Sequence, residues 1–177
     1  MLIGRGPRTA NFELVDLLRE CHQRIRQFSD LAIAIGELRD APTSHLVEAC
    51  ADVRRYFEQA LPLHVADEEE SLLPRLVGHD SRVDEALSVM HRQHSEHEPL
   101  LRELLGLCSR IQSSPGELEG IRSPLHQLAT KLRGEFESHL ILEETDIFPR
   151  IGSMLSIEVQ GDIIRELRAR RDVPRRA

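Results

Sequence analysis

One segment of this chain occurs twice, and the copies restrict the fold more than any other feature. HVADEEESLLPRL, from His64 to Leu76, returns as HLILEETDIFPRI, from His139 to Ile151. Each copy runs HxxxEE, two variable residues, two apolar residues, Pro-Arg and a further apolar residue. A histidine and a glutamate four apart share one face of an α-helix, ~6 Å apart along its axis. Each copy, folded as a helix, therefore offers an imidazole and a carboxylate to one point.

The flanking residues carry the helical period. The chain has no Trp and a single Tyr, Tyr56, and is rich in Leu, Ile, Glu and Arg, which favours helices over a sandwich or barrel. A first stripe runs through Leu14, Leu18, Cys21, Ile25, Phe28, Ala32 and Ile35, with His22 at its edge and Thr9 or Asn11 as its cap. A turn is predicted at 40–44, with Thr43 or Ser44 capping the next helix. That helix carries Leu46, Cys50, Val53, Phe57 and Leu61, and the same step lands on His64, Glu68 and Leu72. Pro62 predicts a kink just before His64, and Pro74 a bend or stop before the turn at 78–81. The third stripe is Val83, Leu87, Met90, His94, Leu101 and Leu105, with Ser81 as cap and Pro99 as a distortion. Ser, Gly and Pro at 112–124 predict the longest loop, and Ser123-Pro124 the start of a fourth helix. This helix steps through Leu125, Leu128, Leu132 and Phe136 to His139, Glu143 and Ile147, and breaks at Pro149 and Gly152. A short fifth helix, Ser156 to Arg171, has Ile163, Ile164 and Leu167 on one face and leads into an Arg-rich tail expected to be solvated. The expected fold is all-α: an antiparallel up-down-up-down four-helix bundle with a short C-terminal fifth helix. All 177 residues form one domain, with the bundle over 11–152 and the last helix and basic tail over 153–177.

In such a bundle, residues on consecutive helices share a height when they are equidistant from the connecting turn. The midpoint of His22 and His64 is position 43, that of His64 and His94 is 79, and that of His94 and His139 falls between 116 and 117. All three midpoints lie on predicted turns. His22, His64, His94 and His139 are thus expected at one level, with Glu68 and Glu143 a turn away. His97 is a rival ligand or an outer partner, and His91 lies near the site but off the stripe. His45, His79 and His126 are expected at the surface. Glu69 and Glu144 point about 100° from their neighbours; a solvated face is favoured over a role as partners of the histidines.

Two carboxylates and four imidazoles inside an apolar bundle carry a large desolvation cost unless a positive charge stays with them. A divalent metal answers this, and nitrogen and oxygen ligands without thiolate suit iron, manganese or zinc. Two ions bridged by Glu68 and Glu143, each with two histidines, use all six ligands and leave positions open for oxygen, peroxide or nitric oxide. A net charge of −7 argues against nucleic acid as a partner. No apolar run approaches the ~18 residues of a membrane span, and MLIGRGPRTA has no signal-peptide core, so a cytoplasmic protein is expected. Cys21, Cys50 and Cys108 read as buried, reduced thiols rather than a disulfide framework.

The pattern of His22, then His64 with Glu68, then His94, then His139 with Glu143 resembles the hemerythrin-like family of HHE cation-binding domains. That resemblance implies a four-helix bundle holding a non-haem di-iron centre with carboxylate bridges; manganese and zinc rank behind iron. Oxygen-carrying hemerythrins have HxxxH on the third helix and HxxxxD on the fourth. Here Glu98 stands four after His94 and Glu144 five after His139. The six-ligand pattern is closer to the repair-of-iron-centres proteins and related sensors. Two other roles stay open: a structural metal in a module that binds a protein partner or a second copy through its last helix and tail, and peroxidase or oxidase turnover with unassigned catalytic residues.

Overall fold

Four helical arms and a closing helix make up the computed structural model, which describes residues 10–172. Helix α1 is Ala10–Glu37, α2 Thr43–Gln59 and α3 Leu61–Ala66. A π-helical turn over Asp67–Leu72 leads into α4, Leu73–Leu76. The third arm is the single helix α5, Ser81–Ser113. The fourth comprises α6, Leu118–Leu142, a second π-helical turn over Glu143–Ile147, and α7, Phe148–Met154. Helix α8, Ile157–Asp172, closes the chain, and Ser156 Oγ caps it by accepting the Val159 N–H. The described residues contain no strand. None of their helices is long and apolar enough to cross a membrane.

The apolar residues gather in two cores. One holds Ile25, Phe57, Leu104, Phe136 and Leu140; the other holds Leu18, Leu72, Met90, Ile147, Phe148 and the α8 face of Ile163, Ile164 and Leu167. On the first three arms the candidate polar residues fall between these two cores in sequence, and on the fourth His139 lies at the edge of the first core and Glu143 between the two. A buried polar layer thus divides the bundle.

The expected stripes of the second and fourth arms are buried as read. On α1 the stripe passes through His22 and Ser29, both buried, while Cys21 and Phe28 sit at its edges. On α5, Leu104, Cys108 and Ile111 take the core positions expected of Leu101 and Leu105. The cause is a heptad spacing from Met90 through His97 and Leu104 to Ile111, which a four-step projection drifts away from.

Caps, turns and prolines depart from expectation in five places. Pro42 occupies the N-cap position of α2, and neither Thr43 nor Ser44 caps it. Asp80, rather than Ser81, caps α5, its side chain accepting from Arg82 N–H and Val83 N–H at 2.8 and 3.3 Å. Pro99 lies inside unbroken α5, where it offers no N–H to the carbonyl of Ser95, an exposed residue that water can reach. The predicted long loop shrinks to Ser114 and one 3-10 turn, because Leu118 and Ile121 bury and Arg122 caps α1. The Arg122 guanidinium donates to the Ile35 and Leu38 carbonyls at 3.3 and 2.7 Å. Asn11 lies within α1, not ahead of it, and Thr9 falls outside the described residues.

His126 is at the surface but half-buried, because α1 approaches α6 closely at Gly36. A Cβ there would stand 2.6 Å from His126 Cβ and 2.9 Å from its Cα. Overpacking of this kind costs about 1–3 kcal/mol, against about 0.5–1 kcal/mol that Ala gains over Gly within a helix. Gly36→Ala therefore lowers the melting temperature; a rise in thermal denaturation would refute the close approach.

Candidate metal centre

Both copies of the repeated segment change helix type at the glutamate. Leu73 N–H bonds to the Glu68 carbonyl and Phe148 N–H to the Glu143 carbonyl, five residues back instead of four. The donor in each case precedes a proline. Pro74 and Pro149 have no N–H to continue the α-helical ladder, and a wide turn just before them absorbs the mismatch. Such a turn buries two adjacent residues at once: Asp67 with Glu68, and Ser71 with Leu72. The shared Pro-Arg is structural, Arg75 bonding to the Ser71 carbonyl and Glu166, and Arg150 to the Asp146 carbonyl.

The structure brings all six predicted donors together as two groups that share both glutamates. One group is His22, His64, Glu68 and Glu143; the other is Glu68, His94, His139 and Glu143, with the donor atoms of each within 4.8 Å of one another. Glu68 turns Oε1 to His64 Nε2 at 3.0 Å and Oε2 to His94 Nε2 at 3.2 Å. Glu143 turns Oε2 to His22 Nε2 at 2.9 Å and Oε1 to His139 Nε2 at 3.0 Å. Each carboxylate therefore gives one oxygen to each group.

Three of the four histidines are held by their far nitrogen. His22 Nδ1 lies 2.8 Å from Glu144 Oε1, His94 Nδ1 2.8 Å from Glu69 Oε1, and His139 Nδ1 3.0 Å from Gln93 Oε1. An acceptor at Nδ1 fixes the tautomer that leaves the Nε2 lone pair facing the cluster. Glu144 also accepts from Arg26 at 2.9 Å, and Glu69 also meets His91 Nδ1 at 2.9 Å. Glu69 and Glu144 are thus partners of the histidines, contrary to the solvated face expected of them. A turn of about 100° from the ligand position aims them at the neighbouring helix rather than at water. The second Glu of each copy clamps the lone histidine of a different arm. Gln93 carries no periodic signal and was not legible in the sequence.

The donor set fits a cation. The Nε2 atoms of His22 and His64 and all four carboxylate oxygens are buried without a hydrogen bond among the described residues, despite approaches of about 3 Å. Such atoms are normally paired, and ones that converge without bonding to each other need a shared positive centre. Charge balance in the metal-free chain says the same. Burial opposes a proton on His22, but the Glu143 and Glu68 carboxylates outweigh it and lift the group to about 10. His94 is lifted to about 9, burial again opposing and Glu68 prevailing. Burial dominates at His64 and pushes it down. Glu68, despite burial, is held well below the usual carboxylate range by His64, His22 and His94.

His97 stands outside both groups. It is buried edge-on against Phe136 and His139, with ring centroids at 5.0 and 5.4 Å, and burial pushes it down to about 4. His45 and His79 are exposed.

The basic end of α8 is not a solvated tail over its described part. Arg170 and Arg171 hold the two oxygens of fully buried Asp67, at 2.9 and 2.6 Å. Arg171 also lies 3.7 Å from Cys21 Sγ. Arg175 and Arg176 lie outside the described residues. The last helix therefore grips the residues beside two cluster members, Glu68 and His22.

Two comparisons with known proteins bear on this arrangement. The chain is 24% identical over 164 residues to an uncharacterized protein of Haemophilus influenzae, covering 91% of each. Residues 13–151 match the hemerythrin HHE cation-binding domain. That match spans most of the chain and includes all six clustered donors, and this protein belongs to the hemerythrin HHE cation-binding family.

Proposed function

We propose that this protein holds two iron ions through His22, His64, His94, His139, Glu68 and Glu143, and that the centre binds or responds to dioxygen, peroxide or nitric oxide. One observation carries the reading: each glutamate directs one oxygen to each of two histidine pairs, which is the arrangement two bridged ions require. Nitrogen and oxygen ligands without thiolate suit iron, and four histidines shared by two ions leave coordination positions open. Bound iron supplies the redox couple and the open positions at which a diatomic molecule or peroxide binds. The chain supplies the rest. Glu144, Glu69 and Gln93 orient three imidazoles, and apolar cores flank the layer on either side. Free thiols at Cys21, Cys50 and Cys108 suit a reducing, cytoplasmic setting.

Loading the metal-free protein with iron(II) under nitrogen and then admitting air tests this reading. A new near-ultraviolet and visible absorption is expected, absent from protein loaded with zinc. A spectrum unchanged by air would overturn the redox role.

Protons report on the same site. The folded pKa values of His22 and His94 lie above the ordinary 6.5. Their pairing with the carboxylates in metal-free protein is complete below 6.5 and lost as pH rises through about 9 to 10. Metal must displace both protons, so uptake at pH 7 releases them and apparent affinity climbs with pH. Titration in weak buffer with a pH indicator measures the release; uptake without acidification would contradict it.

A further inference from the structure

A cavity of about 350 Å³ opens beside the cluster, walled by Phe57, Leu61, Leu101 and Phe136 and bounded on the cluster side by His64 and His97. A diatomic molecule occupies about as much space as one or two waters, ~30 Å³ each, so the cavity is several times larger than such a ligand needs. Its polar groups are also incomplete. His97 is 6% exposed and packs edge-on against Phe136 and His139, with no hydrogen bond among the described residues. Glu69, His94, Ser95, Glu98 and His139 also line the space, and His97, an imidazole without a hydrogen bond beside its apolar wall, favours a ligand that brings an oxygen to it.

We propose that this cavity binds a small organic molecule with an apolar body and one oxygen function, the body against Phe57, Leu61, Leu101 and Phe136 and the oxygen toward His97. The inference rests on the metal-centre reading in one respect: it makes the oxygen end a neighbour of the bound ions. Water, dioxygen and peroxide still enter, but the site selects a carbon-bearing partner by shape.

The probe is 2-phenyl-2-propanol, titrated calorimetrically into the protein as purified, with metal content measured on the same sample. Saturable one-site binding is expected, and Leu101→Phe, which narrows the cavity, and His97→Phe, which removes the hydrogen-bonding group, each weaken it at least tenfold. Thermal melts show that both variants are folded; if Leu101→Phe is not, Val65→Phe at the same cavity replaces it. No saturable binding by folded wild type, or binding unchanged in the narrowed variant, overturns the inference. Two metals per chain without probe binding discards the ligand and keeps the centre; probe binding to a chain that never takes up metal does the reverse.

Discussion

Replacing both Arg170 and Arg171 with Ala is expected to destabilise the protein by about 3–5 kcal/mol, because it strands a buried carboxylate without a partner. Asp67 is 0% exposed, and its two oxygens are held by these two side chains. The reverse change is milder. Asp67→Asn leaves two arginines that are 19% and 38% exposed and can turn to water. Adding Asp67→Asn to the double variant is therefore expected to restore much of the lost stability, since the stranded charge is gone. Denaturant unfolding of the four proteins forms a cycle; equal and additive losses would show that Asp67 and the last helix are not coupled.

The second large effect concerns the bridging positions. Glu68→Gln or Glu143→Gln puts an amide nitrogen where one of the two oxygens stood and removes the negative charge that both donor groups share, so neither ion is retained and affinity falls by well over 100-fold. Glu69→Gln or Glu144→Gln disturbs only the orientation of one histidine, and the expected loss is about 10–100-fold. Metal-free Glu68→Gln melts lower than metal-free wild type at neutral pH, because protonated His22 and His94 lose the carboxylate that pairs with them. A Glu68→Gln protein that keeps one full equivalent of metal would show that the glutamate serves one group alone.

The second and fourth arms were legible because their apolar step of three and four runs unbroken into His-xxx-Glu, so the polar residues inherit core positions. Equidistance from the turns then put four histidines at one height. What the sequence hid lies one residue off those stripes. Asp67 and Gln93 sit beside predicted donors, and their roles depend on which neighbouring helix lies opposite, which periodicity does not encode. Glu69 and Glu144 were assigned to water because an i+1 residue leaves the core face; in a four-helix layer the adjacent direction is another helix. Prolines misled in both directions. Pro99 and Pro124 lie within continuous helices, while Pro74 and Pro149 mark π-helical turns that no composition rule announces. The repeated HxxxEE can now be read residue by residue: a donor histidine, a glutamate shared by two groups, and a second glutamate that clamps the histidine of a neighbouring arm.

The central claim is that this layer holds two ions. Anaerobic titration of the metal-free protein with iron(II), with metal analysis after desalting, tests it directly. Two irons per folded chain are predicted, falling to none in Glu68→Gln; a folded wild-type chain that retains one iron, or none, would contradict the account.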